Sequence, residues 1–298
     1  MKRRFHTLDV FTDQALAGNP LAVVLDSEGL NDEAMQAIAS EFNLSETVFV
    51  MPPQNASSMA KIRIFTPVHE LPFAGHPTVG TAILLSHLNH LEDGSHLVLE
   101  ENVGPVVCRI SDQAGVRTAR FGLPKIAKPI DHAFDLAGWA SGLGLAPETM
   151  DGTRGELWDG GVPYTMVPVD SMETVASVVI EMSSIRKVEP VFNDIAANPY
   201  VFCKGGVDEG TDFHARMFAP LFGITEDPAT GSAVASMSGW IAKHEMAETE
   251  KRTFKIEQGY EMGRPSQIYL DIDKQNGKIT DAGISGAAVR ISEGEIEV

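Results

Sequence analysis

The chain has few cysteines, few basic residues and no long apolar run, and each scarcity narrows its possible functions. Its 298 residues include only Cys108 and Cys203, which lie far apart and follow no metal-binding spacing. We expect both to be buried free thiols of a reducing compartment. With 23 basic against 41 acidic residues, a net charge of −18 makes nucleic acid and anionic membranes poor partners. No apolar run is long enough to span a membrane, so the sequence predicts a cytoplasmic protein.

What the chain has instead is an internal repeat. The stretch from His76 to Ala82 (HPTVGTA) recurs 151 positions later, from Asp227 to Ala233 (DPATGSA). Proline with a neighbouring hydroxyl is typical of the first turn of a helix. The unpaired N–H groups and partial positive charge of such a turn favour a carboxylate or a phosphate. The repeat therefore predicts two helix starts that bind an anion.

Three further echoes occur in the same order in both halves. Residues 18–24, 48–50 and 62–67 are matched by 161–167, 201–203 and 215–220, at offsets of 143, 153 and 153. Collinear echoes at about half the chain length indicate a duplication. With 43% hydrophobic residues, each half can form its own core.

The pattern of elements predicts an α+β protein of two pseudo-symmetric lobes. Each lobe is expected to be a curled, mostly antiparallel and barrel-like sheet around a central buried helix. The first of these helices is predicted from Pro77 to about His90, since its residues are apolar nearly all round. We assign residues 1–128 to the first lobe and 129–298 to the second, with the last strand a candidate to pack back on the first.

Differences between the halves indicate where chemistry is expected. The offset of 151 pairs His76 with Asp227, two titratable residues at two helix starts, whereas the offset of 153 pairs Glu46 with Pro199. Glu46 is thus a carboxylate without a counterpart, suited to proton transfer by a single residue. Burial there is expected to raise its pKa toward neutrality, so that it both takes and returns a proton.

Structural readings of the same residues remain open. Glu46 could be a solvated residue after a helix, and His76 and Asp227 could simply cap their helices. Ser232 could satisfy its own backbone in the first helical turn. We expect Arg63 and Arg216 to form structural ion pairs. Neither glycine loop carries the lysine of a phosphate-binding P-loop, G-x-G-x-x-G is missing, and no metal-ligand spacing occurs, so we predict neither a metal nor an organic cofactor.

Several motifs together resemble the PhzF-like phenazine-biosynthesis isomerase family. They are Asp9-Val10-Phe11-Thr12 with Gly18-Asn19-Pro20, Asn43 to Thr47 (NLSET), Glu70 to Thr78 (ELPFAGHPT), Glu226 to Ala233 (EDPATGSA), and Gln258-Gly259 with Gly263 to Ser266 (GRPS). The resemblance runs from about residue 5 to the final strand. It implies the diaminopimelate-epimerase-like fold, a homodimer, a site in the cleft between the lobes, and no metal or organic cofactor.

The resemblance also implies roles for individual residues. Glu46 matches the acid that moves a proton between two carbons of a cyclic dihydro-hydroxyanthranilate. His76, Asp227 and Ser232 match residues that hold the substrate's amino, hydroxyl and carboxylate groups, and Gly75 and Gly231 add backbone contacts. Related epimerases use one cysteine in each loop, and both loops here lack cysteine.

The sequence therefore predicts a cofactor-independent isomerase of a small cyclic or amino-acid-like carboxylate, with Glu46 as the acid/base. One alternative is a racemase or epimerase that uses His76 and Asp227 as two bases. The other is a protein of the same fold that binds a metabolite without turnover.

Overall fold

The chain divides into two units of similar construction. A computed structural model describes residues 2–192, 195–222 and 224–298. The first unit consists of Met1–Pro124 and Ser285–Val298, and the second of Lys125–Ile284. No helix in the described ranges is both long and apolar enough to cross a membrane.

The first unit is built from strands and two helices. In chain order these are β1 (Lys2–Val10), β2 (Asn19–Val24), α1 (Asp32–Phe42), β3 (Glu46–Met51), β4 (Ala60–Phe65), β5 (Glu70–Leu71), α2 (Gly75–Leu88), β6 (His96–Glu101), β7 (Gly104–Gln113) and β8 (Val116–Gly122). The last strand of the chain, β19 (Lys278–Glu297), adds its C-terminal part to β1.

Eight of these strands close into a barrel around α2. The order of neighbours is β1, β2, β3, β4, β6, β7, β8 and β19, and β19 returns to β1. The β2–β3 and β4–β6 pairs are parallel, and the other described registers in the ring are antiparallel. The prediction of a barrel-like, mostly antiparallel sheet around a helix is confirmed.

The second unit repeats this plan with additional short elements. Its elements are β9 (Lys128–Ile130), α3 (Leu136–Leu143), β10 (Glu156–Asp159), β11 (Pro163–Pro168), α4 (Met172–Ala176), α5 (Met182–Val188), β12 (Val191–Phe192), β13 (Ile195–Ala196), β14 (Asn198–Lys204), β15 (Phe213–Ala219), β16 (Ile224–Asp227), α6 (Gly231–His244), β17 (Glu250–Gln258) and β18 (Ser266–Gln275), with 3-10 turns at Pro147–Thr149 and Pro220–Phe222. Here β11–β14 and β15–β17 are the parallel pairs, so the order of parallel and antiparallel neighbours matches the first unit.

Helices α2 and α6 form the centre of their respective units. Every residue of α2 from Gly75 to Ser86 is buried, as is every residue of α6 from Gly231 to Ala242 except Ser232. Each packs against several strands of its own unit. A helix without a polar face is stable only when it is covered on all sides, so the prediction of a buried central helix is confirmed.

The predicted start and end of the first central helix are wrong by two residues. Helix α2 runs over Gly75–Leu88, because the Thr78 amide and hydroxyl both bond to the Ala74 carbonyl and close the first turn there. Pro77 therefore lies inside this first turn. Proline is tolerated there because the first four N–H groups of a helix have no partner within the helix.

The predicted register of the repeat is also wrong. Both central helices have 14 residues and begin at Gly75 and Gly231, which gives an offset of 156 and not 151. The shared frame is Glu-x-Pro-x-x-Gly, at residues 70–75 and 226–231. On this frame the counterpart of His76 is Ser232, and the counterpart of Asp227 is Leu71.

The strands correct the counterpart of Glu46 in the same way. Glu46 pairs with Leu21 in the parallel β2–β3 ladder, and Asn198 pairs with Tyr164 in the parallel β11–β14 ladder. Tyr164 stands where Leu21 stands in the first half, at the predicted offset of 143. Asn198 and not Pro199 therefore matches Glu46.

An arginine–glutamate pair holds the loop before each central helix. Arg63 binds Glu70 through Nε and Nη2, at 2.7 and 2.6 Å, and Arg216 binds Glu226 through the same two nitrogens at 2.8 Å. Arg216 also donates from Nη1 to three backbone carbonyls at residues 175, 176 and 178. The prediction of structural ion pairs is confirmed, since bidentate pairs fix geometry as well as charge.

Substitution of Arg216 by methionine is predicted to destabilise the fold strongly. The change leaves Glu226 and three carbonyls without their donor, and breaking a buried pair costs about 3–5 kcal/mol of unfolding free energy. Denaturant unfolding followed by circular dichroism measures the loss. Lys251→Met is the control, because Lys251 is 76% exposed and lies 3.8 Å from Asp273, and exposed pairs contribute about 0–1 kcal/mol. Equal losses in the two variants would contradict the prediction.

Candidate functional site

Glu46 lies at the first residue of β3, beside the beginning of β2. Its parallel partner is Leu21, so the carboxyl group lies next to the Asn19-Pro20 end of β2. The side chain is only 16% exposed. The strand order thus brings Glu46 to the edge of the barrel interior and removes it from bulk water, contrary to the reading of a solvated surface residue.

His76 lies in contact with Glu46. The imidazole Nε2 is 3.2 Å from Glu46 Oε2, and the His76 side chain is 5% exposed. His76 is the second residue of α2, so the beginning of the central helix places this ring beside the beginning of β3. The structure therefore joins two predicted site residues within the first unit.

The His76 ring is neutral. Burial lowers its pKa to about 3, against the opposing effect of a hydrogen bond that the ring donates to the Pro20 carbonyl. A neutral imidazole has one N–H donor and one acceptor nitrogen. Since Nε2 forms no hydrogen bond within the described residues, we assign the Pro20 bond to Nδ1. The acceptor Nε2 then faces Glu46, and it can receive a hydrogen bond from a protonated carboxyl or from a substrate.

Both central helices begin without a side-chain cap among the described residues. The N-cap residues are Ala74 and Thr230, and neither side chain bonds to a first-turn amide. The N–H groups of Gly75 and His76, and those of Gly231 and Ser232, therefore lie outside the hydrogen-bond ladders of their helices. Such N–H groups, together with the helix dipole, favour a bound carboxylate.

The loop before α6 is held in place by one buried glutamine. Gln258 donates from Nε2 to the Asp227 carbonyl at 2.7 Å and to Thr230 Oγ1 at 3.0 Å. Its Oε1 accepts from the Thr230 amide and from the Tyr200 hydroxyl, both at 3.2 Å. Thr230 Oγ1 in turn donates to Asp227 Oδ2 at 2.5 Å. Asp227 is therefore fixed through its backbone and its side chain, and it does not serve as the N-cap of α6.

A glycine next to Gln258 lets the chain approach this loop closely. Gly259 has φ +79°, and a Cβ there would lie 2.5 Å from the Arg264 carbonyl oxygen and 2.6 Å from that of Pro228. A side chain at this position is excluded by both backbone strain and space. The Gln258-Gly259 motif thus acts in the fold as a support for the loop that carries Asp227.

Ser232 lies within a polar group that the sequence analysis did not foresee. Its Oγ is 2.8 Å from the Tyr164 hydroxyl, and Tyr164 is the strand partner of Asn198. The second unit therefore carries Asn198 and Ser232 at the positions of Glu46 and His76. A titratable pair in the first unit is replaced by an amide and a hydroxyl that do not titrate near neutral pH.

Each unit carries three of the predicted site residues. Glu46, Gly75 and His76 lie together in the first unit, and Asp227, Gly231 and Ser232 lie together in the second. Tyr164 and Asn198 were not predicted as site residues from the sequence. The echo of residues 18–24 in 161–167 already contained the signal for Tyr164, but the predicted register placed Pro199 opposite Glu46.

Both cysteines lie away from these residues. Cys108 on β7 and Cys203 on β14 are buried free thiols, as predicted. Burial raises the pKa of Cys203 to about 11 and that of Cys108 further. Neither thiol is therefore ionised near neutral pH, and a two-thiol racemisation has no support here.

Comparisons with known proteins agree over the whole chain. The model of the family described as "Phenazine biosynthesis-like protein" matches residues 8–294. An uncharacterised isomerase of Mesorhizobium japonicum is 45% identical over 297 residues, which cover 99% of this chain and 98% of that protein. The trans-2,3-dihydro-3-hydroxyanthranilate isomerase of Pseudomonas aeruginosa is 33% identical over 291 residues, 98% of both chains. A crystal structure of the Bacillus anthracis phenazine biosynthesis protein of the PhzF family superposes with a TM-score of 0.89, at 26% identity and full coverage of both chains.

Two buried histidines are predicted to show opposite protonation at neutral pH. His76 should be neutral, whereas His214 should be a full imidazolium, since its two nitrogens lie 2.6 Å from Glu257 and 2.8 Å from Glu261. These carboxylates outweigh desolvation and raise the pKa of His214 to about 9. NMR of the ring nitrogens between pH 5 and about 8 measures both states. His214 serves as the internal control, and an imidazolium pattern for His76 would contradict the assignment.

Proposed function

The chain belongs to the phenazine biosynthesis-like protein family and is an isomerase, and we propose that it moves a hydrogen within a small cyclic carboxylate. The proposed substrate is of the dihydro-hydroxyanthranilate type, the class named for the Pseudomonas aeruginosa relative. In this proposal Glu46 is the acid/base. The observation that carries it is the contact between Glu46 and the neutral ring of His76.

The difference between the two units supports transfer by a single residue. Glu46 and His76 have as counterparts Asn198 and Ser232, which offer hydrogen bonds but no proton acceptor near neutral pH. A two-base racemase needs a second base on the other side of the carbon. Asp227, the candidate for that role, already accepts a hydrogen bond from Thr230 Oγ1 and is held by Gln258 through its backbone.

The proposed reaction needs no external electrons or protons. The Glu46 carboxylate takes a proton from one ring carbon, the electron pair of that C–H bond forms a new double bond, and the existing double bond shifts. The protonated Glu46 then returns the same proton to the carbon at the other end of the shifted system. His76 Nε2 can accept a hydrogen bond from the protonated carboxyl and hold it in position between the two transfers.

Substrate binding belongs to the same proposal. The first-turn N–H groups of Gly75 and Gly231, with the Ser232 hydroxyl, are suited to a carboxylate, and Asp227 is suited to an amino group. The sequence-based predictions that both units contribute to one substrate site and that the protein is a homodimer also remain part of the proposal.

Replacement of Glu46 by glutamine is predicted to abolish most of the turnover. The amide keeps the size and polarity of the side chain but removes the basic oxygen, and acid–base groups contribute roughly 10²–10⁴-fold to the rate. The assay uses trans-2,3-dihydro-3-hydroxyanthranilate in deuterated water, with product and label position read by NMR. Affinity for the substrate should persist. Glu41→Gln, an exposed change at the end of α1, is the control with parental activity.

Three outcomes of this assay would contradict the proposal. Retention of more than about a tenth of parental turnover by Glu46→Gln would show that another group carries the proton. Label at one carbon with inversion of that centre would indicate an epimerase. Substrate binding by the parental protein without formation of any isomerised product would indicate a protein that binds the metabolite without turnover.

The hydroxyl pair of the second unit is predicted to affect binding more than chemistry. Ser232→Ala removes the hydroxyl that faces Tyr164, and Tyr164→Phe removes the partner of that hydroxyl. Loss of a neutral hydrogen bond costs about 0.5–1.5 kcal/mol, so KM should rise roughly 2- to 10-fold in each variant while kcat stays within about twofold. A fall in kcat of the size expected for Glu46→Gln would instead place Ser232 in the chemical step.

A further inference from the structure

Glu101 is a buried carboxyl that the proposed chemistry does not use. It ends β6, is 8% exposed, and its Oε1 lies 2.8 Å from Thr78 Oγ1, within hydrogen-bond distance. Its Oε2 is buried and has no hydrogen-bond partner among the described residues. Thr78 belongs to the first turn of α2, two residues after His76. Glu101 therefore contacts the helix start that carries the proposed catalytic histidine.

The strand registers show which residue corresponds to Glu101 in the second unit. In the parallel β4–β6 pair Lys61 is opposite Glu100, and in the parallel β15–β17 pair His214 is opposite Glu257. Lys61 and His214 each stand two residues before the arginine that binds the loop glutamate. The next residue on each second strand is Glu101 in one unit and Gln258 in the other.

Gln258 shows what this position does in the second unit. Both its amide nitrogen and its amide oxygen bond to the loop that leads into α6, and the side chain is fully buried. A protonated carboxyl has nearly the shape of an amide and offers one donor and one acceptor, whereas a carboxylate only accepts. Glu101 can therefore replace Gln258 functionally only when it carries a proton.

The surroundings of Glu101 favour the protonated form. Burial raises its pKa to about 8 from a usual value of 4.5, against the smaller opposing effect of the Thr78 hydrogen bond. The titratable group that faces it from β7 is Cys108, whose thiol is neutral. The charge of Lys61 on β4 acts on the adjacent Glu100. No cation among the described groups stabilises an ionised Glu101.

We propose that Glu101, in its neutral acid form, is a positioning residue that fixes the first turn of α2 and so holds His76 against Glu46. Only the predicted effect of Glu101 on turnover rests on the proposed function. Asn102 supports the same region, because its Nδ2 donates to Glu70 Oε1 at 2.9 Å and so joins the Arg63–Glu70 pair to the end of β6. The consecutive residues 101 and 102 thereby contact both the loop before α2 and its first turn.

This role makes both stability and activity sensitive to alkaline pH. The folded protein keeps a proton on Glu101 that the unfolded chain loses above about 4.5, so its contribution to stability is complete below that pH. The contribution falls as the pH rises and is lost by about pH 8. Above that pH the carboxylate is ionised in the interior, and the helix start loses its neutral support.

The test compares three variants with the parental protein across pH 6 to about 9.5. Glu101→Gln should keep parental kcat/KM at pH 7 and should lose the alkaline decline near pH 8 that we expect in the parent. Glu101→Leu, of similar size but without polar atoms, should lower kcat/KM roughly tenfold below about pH 8, as for a lost buried hydrogen bond. Thr78→Val removes the hydroxyl that contacts Glu101 and should cause a decrease of similar size. A purely structural role would not move the pH profile. An unchanged alkaline decline in Glu101→Gln would overturn the proposal.

Two measurements decide the protonation state without any turnover. The infrared difference spectrum of the parental protein minus Glu101→Gln should contain the C=O band of a protonated carboxyl at pH 7, converted to carboxylate bands above about pH 8. The unfolding free energy of the parent should fall relative to that of Glu101→Gln as the pH rises from about 4.5 to about 8. Carboxylate bands at pH 7 would overturn the proposal. If the probe substrate is not turned over at all, the proposed function fails while these two measurements still test Glu101.

Discussion

Both units depend on one constraint, which is that a helix begins in the protein interior. The first-turn N–H groups of α2 and α6 donate to no capping side chain in the described residues. The same two kinds of contact hold the start of the central helix in each unit. An arginine–glutamate pair fixes the loop before each helix, and a buried polar residue at the end of a parallel strand contacts the loop or the first turn. Each helix start therefore has a partial positive charge that favours an anion, despite a net charge of −18.

The duplication kept this framework and changed the chemistry within it. At three corresponding pairs of positions the first unit has Glu46, His76 and Glu101, and the second has Asn198, Ser232 and Gln258. Each titratable side chain of the first unit is thus replaced by one that forms hydrogen bonds without gaining or losing a proton near neutral pH. Asp227, whose counterpart is Leu71, is the addition of the second unit. In the proposed function the first half therefore provides proton transfer and the second half provides recognition.

Burial explains the protonation states of the titratable side chains in the first unit. The same desolvation that keeps His76 neutral keeps Glu101 protonated, although it moves their pKa values in opposite directions. The neutral form of Glu101 is favoured because no cation among the described groups compensates its charge, and the neutral form of His76 is favoured because desolvation outweighs the hydrogen bond to the Pro20 carbonyl. His214 shows the contrast, because two carboxylates hold it as a cation in an equally buried place.

Local patterns in the sequence determined much of this structure. The apolar stretch after the first loop and the repeated loop motif predicted central helices that are present. Collinear echoes predicted the duplicated α+β architecture, and the spacing of two lone cysteines predicted buried free thiols. These features depend on residues that lie close together in the sequence, so they can be predicted from the sequence alone.

Only the tertiary structure decided which residues correspond and which groups are charged. The repeated Pro-x-x-Gly motif indicated an offset of 151 between the two halves. The helix starts instead give an offset of 156, and the parallel strand pairs make Asn198 the counterpart of Glu46. A short motif can recur in a shifted position, whereas hydrogen-bond registers admit one alignment. The contact of His76 with Glu46 joins residues 30 positions apart through the order of strands in a barrel. Protonation follows from burial, which is a property of the packed fold and not of any stretch of sequence.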